Sequence, residues 1–148
     1  MGLMQSMRIS ASALLAQRLR MDVVANNVAN LNTSRTVDGG PYRRQSVVFA
    51  EQGREVPFRD FLQRESGEPG RGGGVQVTEI REDNTPPRRV YDPQHPDADE
   101  EGYVLLPDIN VVTELTDLVS ARRAYEASVT VLNATKSMAL RALEIGRG

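Results

Sequence analysis

Apolar residues recur at alternating intervals of three and four at both ends of the chain and lose that rhythm in the middle. From the N-terminus, Met4, Met7, Ala11, Leu14, Arg18, Met21, Ala25 and Val28 form a heptad-like seam in which seven of the eight positions are apolar. This pattern predicts one long amphipathic helix over residues 1–31. From Asn110 onward, Val111, Leu115, Leu118, Arg122, Tyr125, Val129, Leu132, Lys136, Ala139 and Leu143 keep the same spacing. The second seam predicts a helix running almost to the C-terminus. Pro107 stops it upstream, Asp108 or Asn110 can cap it, and Gly146 can close it. Arg18, Arg122 and Lys136 interrupt the seams. Each reads either as an alkyl stem lying along the stripe with its charge in water, or as a contact that fixes register with a partner of opposite charge.

Seams this narrow bury well against another helix but leave an isolated helix marginal in water. Together they predict an antiparallel hairpin, with residue 31 near residue 110 and both termini at the other end. Leu3, Val24 and Leu31 lie one position before the first seam, and Val112 and Val119 lie one after the second. These residues would be left for other chains to cover. If such a face meets a different face of the next copy, the contact is head-to-tail and generates a ring or a filament. Self-assembly is therefore expected.

Between the seams the chemistry changes. All eight prolines and nine of the twelve glycines fall between Gly39 and Pro107. Short alternating or β-branched runs appear at 45–50, 75–80, 89–91 and 103–106, each bounded by turn residues. A small β-rich insert is expected over residues 33–107, too polar to build a large core alone. Phe58, Phe61 and Leu62 sit at the spacing of one helical turn packed on it, and residues 65–74 read as a flexible loop. The expected fold class is α+β. It comprises an N-terminal helix within residues 1–32, the insert at 33–107 and a C-terminal helix within 108–148, the helices paired as a coiled-coil-like hairpin.

Composition narrows the chemistry. A chain of 148 residues with a net charge of −2 fits one ordinary domain with no bulk attraction to nucleic acid or acidic membranes. The absence of cysteine removes disulfides, thiolate metal sites and Cys nucleophiles together. With no Trp, four Tyr and three Phe there are few platforms for base or sugar stacking. No apolar run is long enough for a membrane span, and Ile9–Ala16, broken by Ser10 and Ser12 after a single Arg8, makes a poor secretory signal. Asp97–Gly102, with Val104 and Asp108, imitates the opening of a calcium loop. Pro93, Pro96 and Pro107 deny it flanking helices, so an acidic turn between two strands is the better reading. His95 is the sole histidine and has no companion at ligand spacing, and Gly72-Gly73-Gly74 lacks the ending of a phosphate loop. The Arg pairs 43/44, 88/89 and 122/123 are scattered and balanced by acid, as solvated surface or subunit contacts would be. No catalytic, metal or cofactor set converges, and an enzyme ranks last.

The stretch Ala25–Thr33 joins the first helix to the insert and carries Asn26, Asn27, Asn30 and Asn32. Asn competes for backbone hydrogen bonds and lowers helix propensity. One Asn can close a helix in the left-handed conformation, but four ask for more. Asn26 and Asn30 are one turn apart and share a face where amides can pair with another backbone or another chain. Asn26-Asn27-Val28-Ala29-Asn30 followed by Asn32-Thr33 resembles the N-terminal signature of bacterial flagellar axial proteins, the family of rod and hook subunits. Further stretches resemble its proximal-rod members over essentially the full length. They are Gly40-Pro41-Tyr42-Arg43-Arg44 with Val47-Val48-Phe49, Gly73-Gly74-Val75, Val90-Tyr91-Asp92-Pro93 with His95-Pro96, Gly102-Tyr103-Val104, Pro107-Asp108-Ile109-Asn110-Val111-Val112 with Glu114, and Ala121–Ala127.

The resemblance implies a structural subunit of the flagellar drive shaft, with no cofactor and no nucleic-acid partner. Such a subunit is exported without a cleaved signal through the flagellum-specific type III apparatus. It polymerises in the periplasm with copies of itself and other rod proteins. The terminal helices would form the inner tube around the export channel, with the insert further out. Candidate assembly contacts are Met7, Leu14, Arg18, Met21, Asn26, Asn27, Val28 and Asn30 on the first helix, and Leu115, Leu118, Arg122, Tyr125, Val129, Leu132 and Lys136 on the second. By this reading Asn27→Ala leaves the isolated chain's stability nearly unchanged and impairs assembly. Two alternatives fit the same pattern: another flagellar axial subunit, or a soluble helical adaptor or export-associated chaperone that grips a partner helix through its exposed seam.

Overall fold

The computed structural model describes residues 2–52 and 73–146. Helix α1 spans Leu3–Ala29. Four strands follow, β1 at Gln45–Glu51, β2 at Val75–Glu82, β3 at Arg88–Tyr91 and β4 at Tyr103–Leu106, and helix α2 spans Val111–Ile145. The fold is α+β as expected, with the two long helices packed together and the strands inserted between them in sequence. The turn expected at Phe58–Leu62 and most of the loop expected near residues 65–74 lie outside the described residues.

Local chemistry explains the ends of the helices. Asn110 caps α2, its Oδ1 accepting the amides of Val112 at 2.9 Å and Thr113 at 3.4 Å, while Glu114 sits in the first turn where the helix dipole favours an acid. Gly146 closes the same helix by donating its amide to Ala142 O at 3.1 Å. Helix α1 closes differently from the left-handed cap expected for Asn. Asn30 stands at the C-cap with φ −99°, and positive φ among the described residues is confined to glycines. The asparagines at this end serve another purpose.

Strands β1 and β2 form an antiparallel hairpin, from Gln45 opposite Glu82 to Glu51 opposite Val75, with a bulge between Val48 and Phe49. This hairpin packs on α1. Ser12 seats it: the hydroxyl accepts the amide of Val75 at 3.1 Å and donates to Ile9 O at 2.8 Å. Gly74, at φ +108°, makes that approach possible, because a Cβ there would lie 2.5 Å from Ser12 Oγ. Strands β3 and β4 form a second hairpin, Val90 opposite Val104. Its connection is the acidic turn expected from the sequence. Asp99 Oδ1 accepts the amides of Tyr103 at 2.8 Å and Glu101 at 3.0 Å, and the Tyr103 amide foremost holds this carboxyl below its usual range.

The helices run antiparallel, since Asn27 meets Glu114 while Arg20 meets Asp117. Their contact line, however, departs from the expected seams. The buried positions are Ser10, Ala16, Val23, Val24 and Asn27 on α1, and Glu114, Ala121 and Thr135 on α2. Ser10 and Val24 come one residue before the seam positions Ala11 and Ala25, which are exposed. Glu114, Ala121 and Thr135 likewise come one before Leu115, Arg122 and Lys136, also exposed. The physical cause on α1 is a second partner. Val23 and Val24 line a cavity with Val47 and Phe49 of β1, so α1 is buried on the side shared by α2 and the sheet, not on a stripe facing one helix. Val24 is accordingly covered within its own chain and is not left for a neighbour.

Candidate functional site

Where the end of α1, the start of α2 and the start of β1 meet, polar side chains from all three segments close on one another. Asn27 is 0 % exposed and Glu114 1 %. The carboxamide of Asn27 treats Gln45 as a neighbouring strand would: its Nδ2 donates to Gln45 O at 2.8 Å and its Oδ1 accepts the Gln45 amide at 2.9 Å. The same Oδ1 accepts the Tyr42 hydroxyl at 3.0 Å, and the second Nδ2 hydrogen goes to Glu114 Oε2 at 3.0 Å. All four hydrogen-bonding valences of the amide are thus used inside the chain. Asn27 is therefore an internal fastener, which joins the end of α1 to β1 and α2.

Glu114 is held from two sides. Opposite Asn27, Arg44 Nε donates to its Oε1 at 2.6 Å, and the same guanidinium lies 3.7 Å from Asp117, which Arg20 approaches at 3.1 Å. Two cations and two carboxylates alternate, and the only deeply buried carboxylate among the described residues has a donor on each oxygen. This matters because a buried carboxylate is tolerated only when paired and hydrogen-bonded.

A directed relay of donors runs into that carboxylate. Thr33 donates to Asn30 Oδ1 at 3.1 Å, Asn30 to Asn26 Oδ1 at 2.9 Å, Asn26 to the Tyr42 hydroxyl at 3.3 Å, Tyr42 to Asn27, and Asn27 to Glu114. Bonds aligned this way polarise one another. Burial and, next, the charge of Glu114 push the Tyr42 phenol above its ordinary value, which keeps it protonated as the donor that Asn27 needs. The pairing of Asn26 with Asn30 inferred from their shared face is present, and it lies within the chain.

The remaining sequence candidates fall on the flanks of the hairpin. Met7, Leu14, Met21 and Val28 of α1, and Leu118, Tyr125, Val129 and Leu132 of α2, are half-buried. Arg18, Leu115, Arg122 and Lys136 are exposed. Arg122 pairs at 2.9 Å with Glu126 one turn along its own helix, a solvated surface pair. Apolar carbon also faces outward at Met4 and Leu15 on α1, at Val112, Leu115 and Val119 along one groove of α2, and at Leu140, Leu143 and Ile145 near its end. Sequence reasoning missed Arg20, Tyr42, Arg44, Glu114 and Asp117 as a group. Their partners are up to 97 residues apart, and each reads singly as a surface charge or a helix-end acid. The available signal was an Arg directly before a predicted strand and a Glu in the first turn of a predicted helix.

Among the described residues no cluster of His, Cys, Asp or Glu is arranged to hold a metal ion, and no helix is long and apolar enough to cross a membrane. Residues 7–35 match the family model described as Flagella basal body rod protein, and residues 100–145 match that of the Flagellar basal body rod FlgEFG protein C-terminal region. The chain is 47 % identical to the flagellar basal-body rod protein FlgC of Borreliella burgdorferi, with all of both chains covered. It is 48 % identical to the protein of that name from Bacillus subtilis, over 96 % of this chain and 97 % of the relative. With that from Escherichia coli O6:H1 it shares 39 % identity over 99 % of this chain and all of the relative. The two matched segments hold the two long helices, α1 with the asparagine stretch and α2 with its capped start, and the chain belongs to the FlgC family of flagellar basal-body rod proteins, structural subunits of the rod.

Proposed function

We propose that the chain builds the proximal part of the rod by joining copies of itself and other rod proteins through the outward faces of its helical hairpin. In this reading the helices line the inner tube around the export channel, the insert lies further out, and torque crosses from subunit to subunit through many weak contacts spread along the helices. The chain reaches the periplasm through the flagellar type III export apparatus without a cleaved signal.

The observation that carries the reading is the division of labour within the hairpin. The buried Asn27 and Glu114 at its junction end are satisfied by the chain itself, while apolar residues remain in water on the outer faces, among them Val112 at 73 % and Val119 at 51 % exposure. Large apolar residues aligned on one face in this way mark an interaction surface. The test is to fractionate native cells and follow the chain by mass spectrometry. Co-purification with detergent-extracted hook–basal bodies is expected. A chain that stays soluble while complete basal bodies form without it would sink the reading and favour a soluble helical adaptor.

A further inference from the structure

Away from the junction, the interior of the hairpin contains little that distinguishes one axial alignment from another. The buried residues there are short, Ser10 and Ala16 on α1 and Ala121 and Thr135 on α2. On α2 the buried positions fall at 114, 121 and 135, whole heptads apart, with half-buried Ser128 filling the gap. Sliding one helix along the other by a heptad, about 10 Å, would therefore set small residues against small residues again. The strands do not hold one helix against the other: the β1–β2 hairpin packs on α1 and reaches α2 through the side chain of Arg44, while β4 passes through residues 107–110 into α2 and belongs to that side.

The Arg20–Asp117 pair also joins the helices, but both side chains are about a third exposed and the pair is screened by water. One buried cluster distinguishes alignments more sharply. Glu114 is the sole deeply buried charged side chain among the described residues, and its two oxygens are divided between Asn27 of α1 and Arg44 beside β1. A slide of one heptad would take it away from both and leave a carboxylate buried without donors, while Asn27 would lose the fourth of its partners. We propose that the Asn27–Glu114–Arg44 cluster is the register pin of the hairpin. It selects one axial alignment of α1 on α2, and one seat for the insert relative to α2, from alignments that the rest of the contact accepts about equally. The best-attested use of a buried polar group between helices is this choice of register. Because the outward apolar faces draw on both helices, the pin also fixes the surface that a neighbour meets. The inference goes beyond rod assembly and does not rest on which molecules the hairpin joins.

The chain has no cysteine, so spin labels at Asp22→Cys on α1 and Val131→Cys on α2, both exposed positions, report the alignment in the full-length protein without background. Electron–electron double resonance should give a single narrow distance in the otherwise native chain. The double replacement Asn27→Leu with Glu114→Leu removes the pin while filling its space with apolar atoms. It should keep the helical circular dichroism and add distances displaced by roughly 10 Å, the rise of one heptad. Glu114→Gln, which keeps the shape and serves only one of the two partners, should show the native distance with a smaller second population. It decides the matter if the double variant does not fold. A broad distribution in the native chain, or the native distance alone in a folded variant, overturns the proposal.

Discussion

The junction end of the hairpin and its outward faces solve opposite problems with opposite chemistry. At the junction, a carboxylate and a carboxamide are withdrawn from water and every hydrogen-bonding valence of Asn27 is met from within the chain. On the outward faces, Leu15, Val112, Val119 and Leu143 keep half or more of their surface in water. The contrast teaches where each kind of interaction belongs. A subunit that must keep a single internal geometry uses directional bonds that fail if anything moves. A subunit that must meet neighbours along its length presents apolar surface, which is non-directional and gains only when it is covered.

That contrast can be broken most severely at Asn27. Asn27→Ala would leave Glu114 with one donor and the Gln45 amide and carbonyl without their partner. It should destabilise the monomer by about 3 kcal/mol, a large share of a small domain's stability, as read from urea midpoints. The bonds within the chain thus predict a loss of monomer stability where the sequence alone led to the expectation of almost none. Next comes Gly74→Ala, which combines a left-handed backbone with a Cβ 2.5 Å from Ser12 Oγ and should cost about 2 kcal/mol while speeding hydrogen exchange in β1 and β2.

Two changes of about 1 kcal/mol sharpen the account without breaking it. Asn110→Ala removes the cap of α2 and should lower thermal stability by about 1 kcal/mol. Tyr42→Phe loses the hydroxyl that Asn27 accepts and should cost about 1 kcal/mol at neutral pH. The phenol also carries a pH signature. Its folded-state pKa is raised above 10.0, so the protonated form is the one that folding favours. Its contribution is complete below the ordinary phenol value and is lost as pH rises through the raised one. Urea midpoints measured from about pH 8 to 11 should fall at the alkaline end in the native chain and fall less steeply in Tyr42→Phe.

The sequence made the elements legible and their contacts only in part. All four strands were read to within two residues, because each is a short alternating run bounded by Gly, Pro or acidic turn residues. The two helices and their hairpin followed from the three-four spacing. The contact line did not follow, since periodicity shows which residues share a face but not how many partners that face has. Val23 and Val24 are buried on the side that β1 also packs against, and nothing in the helix's own pattern announces the strand. The junction was half legible. Four asparagines near a helix end announced a need for amides, but the carboxylate that completes the set lies 87 residues from Asn27 and 70 from the Arg44 guanidinium, in a separate segment. A pairing between segments that distant leaves no spacing to read.

The central claim is that the outward helix faces serve assembly and contribute little to the fold of the subunit. Val119→Asp tests it most directly, by measuring in one experiment the thermal midpoint of the purified chain and its incorporation into hook–basal bodies in cells. A surface change of this kind should alter stability by no more than about 0.5 kcal/mol, a shift of about 2 °C or less, while incorporation falls sharply. Normal incorporation at an unchanged midpoint would contradict the account.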